Sequence, residues 1–151
     1  MIADFLAANS IDGRIVSFDS DTSIAKACDK AKVPVTSVGK TVLFSDRKED
    51  FFVVIARAGV HVPLEEACEL FDKKEGELSI SDAKIVLNLT GFSKEYFPPV
   101  SVFGVTVALH SSVKDHKVLI FALSEREFLA ISPKEIIESM QKAVKDADSG
   151  K

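Results

Sequence analysis

The segment Phe51-Phe52-Val53-Val54-Ile55-Ala56 limits the fold more than any other part of this chain. It is apolar at successive positions, so both faces of the strand it forms must be covered. It follows the polar loop Asp46-Arg47-Lys48-Glu49-Asp50, which follows a second strand-like run, Thr41 to Ser45. Two strands around a polar loop, the second (Phe51 to Arg57) apolar on both sides, place that second strand inside a sheet and not at its edge.

The flanking segments supply the layers that cover it. Ile2 to Asn9 reads as a short helix and Arg14 to Phe18 as a strand. Asp21 or Thr22 caps a helix from Ser23 to Lys32, closed by the extended residue before Pro34. Pro63 opens a helix at its first position, with Glu65 and Glu66 in the first turn where the helix dipole favours them. Ser81 caps a helix carrying Ile85, Val86 and Leu89, and Gly91 is placed to end it in a left-handed conformation. Strands come next at Val105 to His110, Lys117 to Leu123 and about Phe128 to Ile131, and Ser132-Pro133-Lys134-Glu135 is a capping box for a last helix. Helices and strands mix without a strict βαβ repeat. The fold class is therefore α+β, one domain over 1–145 with a mixed, curved, partly closed β-sheet surrounded by helices, and a fraying tail over 146–151.

Two places in this frame can carry chemistry. Lys40 opens the strand Lys40-Thr41-Val42-Leu43-Phe44, and alternation puts it on the face of Val42 and Phe44. If that face is core, its ammonium sits at the rim of a buried surface, where it can polarise a carbonyl, hold a phosphate or act as a base. The simpler role is to lay its stem on apolar surface with its head in water. The second place is Gly91-Phe92-Ser93-Lys94-Glu95-Tyr96-Phe97-Pro98-Pro99, where glycine allows a turn and paired prolines stiffen the far end of the loop. Such a loop presents backbone groups to a ligand at little ordering cost, or is no more than a helix stop and a connector.

At 151 residues and 46% apolar the chain is long enough to bury one core. A net charge of −4 argues against tight nonspecific nucleic-acid binding, and DNA is not an expected partner. A local basic patch remains open, because Lys26, Lys30 and Lys32 cluster near Lys40. No apolar run is long enough to cross a bilayer and Met1 to Phe5 lacks the features of a signal peptide, so a cytoplasmic protein without a membrane partner is expected. Cys28 and Cys68 fall at helical core spacing. Without a CxxC or a histidine at ligand spacing, neither a metal site nor a cofactor is expected.

The order of elements resembles the YbaK/prolyl-tRNA-synthetase-associated family of aminoacyl-tRNA deacylases, from about Asp4 to Met140. The residues that carry it are the Thr-Ser start to an Ala-rich helix (Thr22 to Ala31), the Lys-Thr-hydrophobic strand at Lys40, and the Ala-Gly-Val-His-Val-Pro turn ending at Pro63. The Thr-Gly-aromatic start at Thr90-Gly91-Phe92, leading to Pro98 and Pro99, completes the set. The resemblance implies trans-editing: hydrolysis of the ester of a tRNA misacylated with a small amino acid, with the aminoacylated 3′ end as substrate and an aminoacyl-tRNA synthetase as a further partner. It implies Lys40 as the cation for the terminal phosphate or the developing oxyanion, and Thr41, Gly91, Pro98 and Pro99 around the aminoacyl group. Three departures stand at the pocket. Glu95-Tyr96 replaces family glycines, and Glu95 is able to pair with the substrate's α-ammonium. His110 ends a strand where many relatives carry Asp. Phe121-Ala122-Leu123-Ser124 replaces small residues. The alternative they support is a degenerate relative that binds aminoacyl-tRNA, a nucleotide or a protein without hydrolysis; bulky Glu95, Tyr96 and Leu123 filling the space beside Lys40 would favour it.

Overall fold

The computed structural model describes residues 2–94, 97–101 and 105–140. The elements run α1 (Ile2–Ala8), β1 (Gly13–Ser17), α2 (Ile24–Ala31), β2 (Gly39–Asp46), β3 (Phe51–Arg57), α3 (Leu64–Leu70) and β4 (Leu78–Ile80). They continue with α4 (Ala83–Thr90), β5 (Thr106–Leu109), β6 (Leu119–Ala122), β7 (Glu127–Ile131) and α5 over 133–140. The expected tail over 146–151 lies outside the described residues, and no helix among them is long and apolar enough to cross a membrane.

β2 and β3 form an antiparallel pair with Val42 opposite Val54, in a four-stranded sheet of order β4-β2-β3-β5. Asp46 Oδ1 organises the turn by accepting from the amides of Lys48 and Asp50, both at 2.9 Å. β3 is interior, as its apolar run requires, and β5 joins it in parallel. Its two faces feed two cores. Val53 and Ile55, with Leu43, enter the main core beside Val86, Leu119, Leu129 and Met140. Phe52, Val54 and Ala56, with Phe44 and the half-buried Val42, pack under α3 against Val62, Ala67, Cys68 and Leu78.

A second, three-stranded antiparallel sheet has the order β1-β7-β6 and carries α2 through Ala27, Cys28 and Ala31 packed on Val16, Ile120 and Phe128. Among the described residues, the two sheets meet at a single parallel bridge between Val38 and Ile120. The partial closure expected of one curved sheet is thus realised as two sheets joined at a seam. Cys28 and Cys68 are free and belong to separate cores.

The helix ends differ from expectation by about one residue. Ser23, not Asp21 or Thr22, caps α2, its Oγ accepting from Lys26 N–H at 3.3 Å, and Lys32 closes the helix in a left-handed conformation (φ 61°). Pro63 is the N-cap of α3 and not its first helical residue. β4 is not anticipated by the sequence pattern. It brings Ser81 N–H to the carbonyl of Leu43 (2.9 Å), which buries Ser81 and leaves its Oγ without a partner among the described residues. The cap of α4 falls to Asp82, whose Oδ1 accepts from Ile85 N–H at 2.9 Å. Ser132 Oγ does accept from Glu135 N–H (3.0 Å), but the Glu135 carboxylate reaches across to Asp12 N–H and ties α5 to the start of β1. Asp82→Ala should therefore lower stability by about 1 kcal/mol in urea denaturation. Ser81→Ala, which removes an unsatisfied buried hydroxyl, should leave stability unchanged or raise it.

Candidate active site in the seam between the sheets

Where the sheets part, they leave a cavity of about 500 Å³. Its existence follows from the reach of β4, which pairs with β2 only from Phe44 to Asp46. The first half of β2 has no laddered neighbour on that side beyond the bridge at Val38. Gly39 lets the sheets approach there, since a Cβ on it would lie 2.7 Å from a ring carbon of Phe121. One wall is thus Val38 and, on β2, Gly39, Lys40 and Thr41; the facing wall is Phe121, Ala122, Ser124, Glu125 and Phe128 around the β6–β7 turn. Thr22 and Ile24 at the start of α2, with Ala58, Lys94 and Phe97, complete the lining.

Both side chains and main chain of β2 meet this space. In an antiparallel pair, N–H and C=O groups of alternate residues face alternate edges. Val38 accepts from Ala58 on the β3 side, and Leu43 accepts from Ser81 on the other. Thr41, two residues before Leu43, therefore turns its amide and carbonyl toward the seam. Its Oγ1 is buried in the cavity wall without a hydrogen-bond partner among the described residues. Lys40 is half-buried and likewise has no ion pair or hydrogen bond among them. A buried hydroxyl and a cation left unpaired beside one cavity are groups that a ligand would satisfy.

The opposite side is acidic. Arg126 Nε donates to Asp21 Oδ1 at 2.8 Å. That bond and one with Glu125 hold the Asp21 carboxyl below the usual carboxylate range. Asp21 in turn, by hydrogen bond and by repulsion, pushes Glu125 up. The backbone binds the same segments together: Thr22 N–H donates to Glu125 O (3.0 Å) and Phe18 N–H to Arg126 O (2.9 Å).

The sequence-derived candidates separate into groups. Lys40 and Thr41 lie together in the cavity. Gly91 closes α4 in the left-handed conformation (φ 78°), its amide bonded to Leu87 O. Pro98 and Pro99 are buried, and Pro99 opens a 3-10 turn ending at Ser101. None of these three lines the cavity; their loop reaches it through Lys94 and Phe97. Glu95 and Tyr96 lie outside the described residues.

His110 is buried at the end of β5, away from the lining residues. Its Nδ1 accepts from Ser112 N–H (3.1 Å) and its Nε2 pairs with Glu66 on α3. It thus ties β5 to α3. Leu123 packs into the main core and is absent from the lining. Of the lysine cluster on α2, Lys30 is already engaged with Ser17 O and the Phe18 ring, while Lys26 and Lys32 are exposed.

Sequence reasoning did not point to Gly39 or Glu125 as lining residues, whereas Phe121 stands in the segment that the resemblance put at the pocket. A glycine directly before the strand-opening lysine was the available signal for the first. Nothing local marks Glu125.

A comparison with curated proteins finds no match. Among solved structures, the hypothetical protein APE2540 is similar over 93% of each chain, with TM-score 0.74 and 20% identity. A candidate trans-editing enzyme for prolyl tRNA synthetase is similar over 93% of this chain and 89% of its own, with TM-score 0.74 and 18% identity. A scaffold protein from computational epitope grafting gives TM-score 0.75 at 17% identity, over the same shares of the two chains. At these identities the likeness establishes the α+β architecture. Residues 20–138, which include every described wall of the seam cavity, match the family model of the aminoacyl-tRNA editing domain, and the chain belongs to that family.

Proposed function

We propose that this protein is a trans-editing deacylase that hydrolyses the ester between a small, wrongly attached amino acid and the 3′ end of a tRNA. The observation that carries this reading is Lys40 beside the Thr41 hydroxyl, both without a partner among the described residues, in a cavity of about 500 Å³. That volume is in the range of small-ligand clefts. Phe97, Phe121 and Phe128 in its walls favour a short aminoacyl side chain.

An aminoacyl ester is already activated, so positioning and charge stabilisation do more for its hydrolysis than a strong nucleophile. Attack of water on the ester carbonyl places negative charge on the carbonyl oxygen. The Lys40 ammonium and the Thr41 Oγ1–H or N–H are the donors on β2 able to meet that charge. Collapse of the tetrahedral species breaks the bond to the ribose oxygen, which leaves with a proton, and releases the free amino acid. Lys40 has a second use, holding the phosphate of the terminal nucleotide, and Lys94 on the neighbouring wall adds a positive charge for the same chain. The family supports tRNA as the partner; a synthetase that supplies the misacylated tRNA is the corresponding second partner.

The test is hydrolysis of tRNAs charged with alanine, cysteine and serine. Loss of one ester well above its spontaneous rate is the expected result. Absence of hydrolysis for all three, with retained tRNA binding, would replace this reading by that of a binding protein.

A further inference from the structure

Among the described residues, the charged side chains that line the seam cavity are Lys40, Lys94 and Glu125. A tRNA end contributes only negative charge to such a cavity. The aminoacyl group contributes one positive charge, its α-ammonium. An aliphatic cation of this kind loses most of its hydration on entering a cleft and needs an anion or several acceptors in return. We propose that Glu125 binds the α-ammonium of the aminoacyl group, across the cavity from Lys40, and so selects for esters that carry a free amino group. This rests on the deacylase reading.

The geometry of the β6–β7 turn supports the assignment. Glu125 sits at the tip of a turn whose backbone is held from both sides. Within the turn, Leu123 N–H donates to Glu127 O (2.9 Å), and Ser124 Oγ accepts from the amides of Arg126 (3.1 Å) and Glu127 (3.2 Å). From outside, Thr22 N–H holds the Glu125 carbonyl itself. The peptide is fixed, and Glu125 is an exposed residue of the cavity lining. This combination makes a binding group precise without burying its charge.

The neighbouring charges leave that carboxyl in need of a cation. Asp21 already has the Arg126 guanidinium at 2.8 Å. Glu125 lies beside that pair and hydrogen-bonds the Asp21 carboxyl, so two acidic groups stand by one guanidinium and an arriving ammonium supplies a second cation. Asp21, first by a hydrogen bond and then by repulsion, pushes Glu125 up, and a cation beside Glu125 would relieve that repulsion.

The experiment compares two substrates on wild type and Glu125→Gln: a tRNA carrying an α-amino ester, and its α-hydroxy analogue, in which a hydroxyl replaces the ammonium with little change of volume. Alanyl- and lactyl-tRNA are such a pair. The ratio of their kcat/KM values in wild type, divided by the ratio in the variant, cancels the intrinsic reactivity of the two esters and isolates the coupling of carboxyl to ammonium. The expected value is about 10- to 100-fold, the worth of a hydrogen bond to a charged group. A value near one overturns the proposal, as does transfer of the whole coupling to Glu95→Gln, which would assign the ammonium to Glu95 instead. Failure of the deacylase reading looks different: wild type then hydrolyses neither ester. Because Glu125 is exposed, an unchanged thermal midpoint of the variant checks that folding is intact.

Discussion

On the proposed deacylase reading, Lys40→Ala should lower kcat/KM for the misacylated tRNA by about 100- to 1,000-fold, the usual cost of removing a donor aimed at charge that develops in the transition state. The fold does not share this loss. Lys40 is half-buried and without a hydrogen bond or ion pair among the described residues, so its removal costs only stem packing, and stability should stay within about 1 kcal/mol of wild type. Single-turnover hydrolysis beside a urea melt separates the two effects. Lys40→Arg keeps the charge but replaces a compact ammonium by a planar fork, and should recover only part of the rate. Wild-type turnover in the alanine variant would remove Lys40 from the chemistry.

The second large effect is on folding. Phe121 is buried at the point where β6 meets β2, with its ring over Gly39 and its strand opposite Leu129 of β7. It is one of the main-core side chains that join the two sheets, and it does so beside their bridge. Phe121→Ala should cost about 3–5 kcal/mol, the sum of lost burial and an unfilled cavity. Gly39→Ala strains the same contact from the other side and should cost about 1–3 kcal/mol through overpacking. In the double variant the added methyl enters the space the ring has left, so the combined loss is smaller than the sum of the two. Additive losses, measured by urea denaturation of the four proteins, would show that the sheets are joined elsewhere.

The parts of this molecule that were legible in the sequence are those set by local pattern. The apolar run Phe51 to Ala56 after a charged loop had to become a central strand, and it pairs with β2 in the register that puts Lys40, Val42 and Phe44 on one face. Gly91 had to end a helix, and it does. Cap positions shifted because Asp21, Thr22 and Ser23, and again Ser81 and Asp82, offer neighbouring side chains with the same capping chemistry; long-range bonds to Arg126, Glu125 and Leu43 decide which is used. β4 spans only Leu78–Ile80, too short for alternation to show.

The candidate site was partly legible. Lys40 stood out as a cation opening an apolar strand, and the resemblance added Thr41 and the Phe121 segment. Glu125 comes to the same cavity only because two distant hairpins meet at Gly39. His110, which stands where many relatives carry Asp, ties the end of β5 to α3 through Glu66.

The edge of β2 that faces the seam has a consequence for how such proteins diverge. A peptide amide at Thr41 is supplied whatever side chain stands there, so replacing residues one at a time by alanine removes none of it. What that wall asks of the sequence is a strand and, at Gly39, a residue small enough for Phe121. Chains that share only 17–20% of their residues with this one keep its architecture. Sites assembled largely from main-chain groups should therefore be under-recognised by residue matching, and better found by where a sheet fails to close.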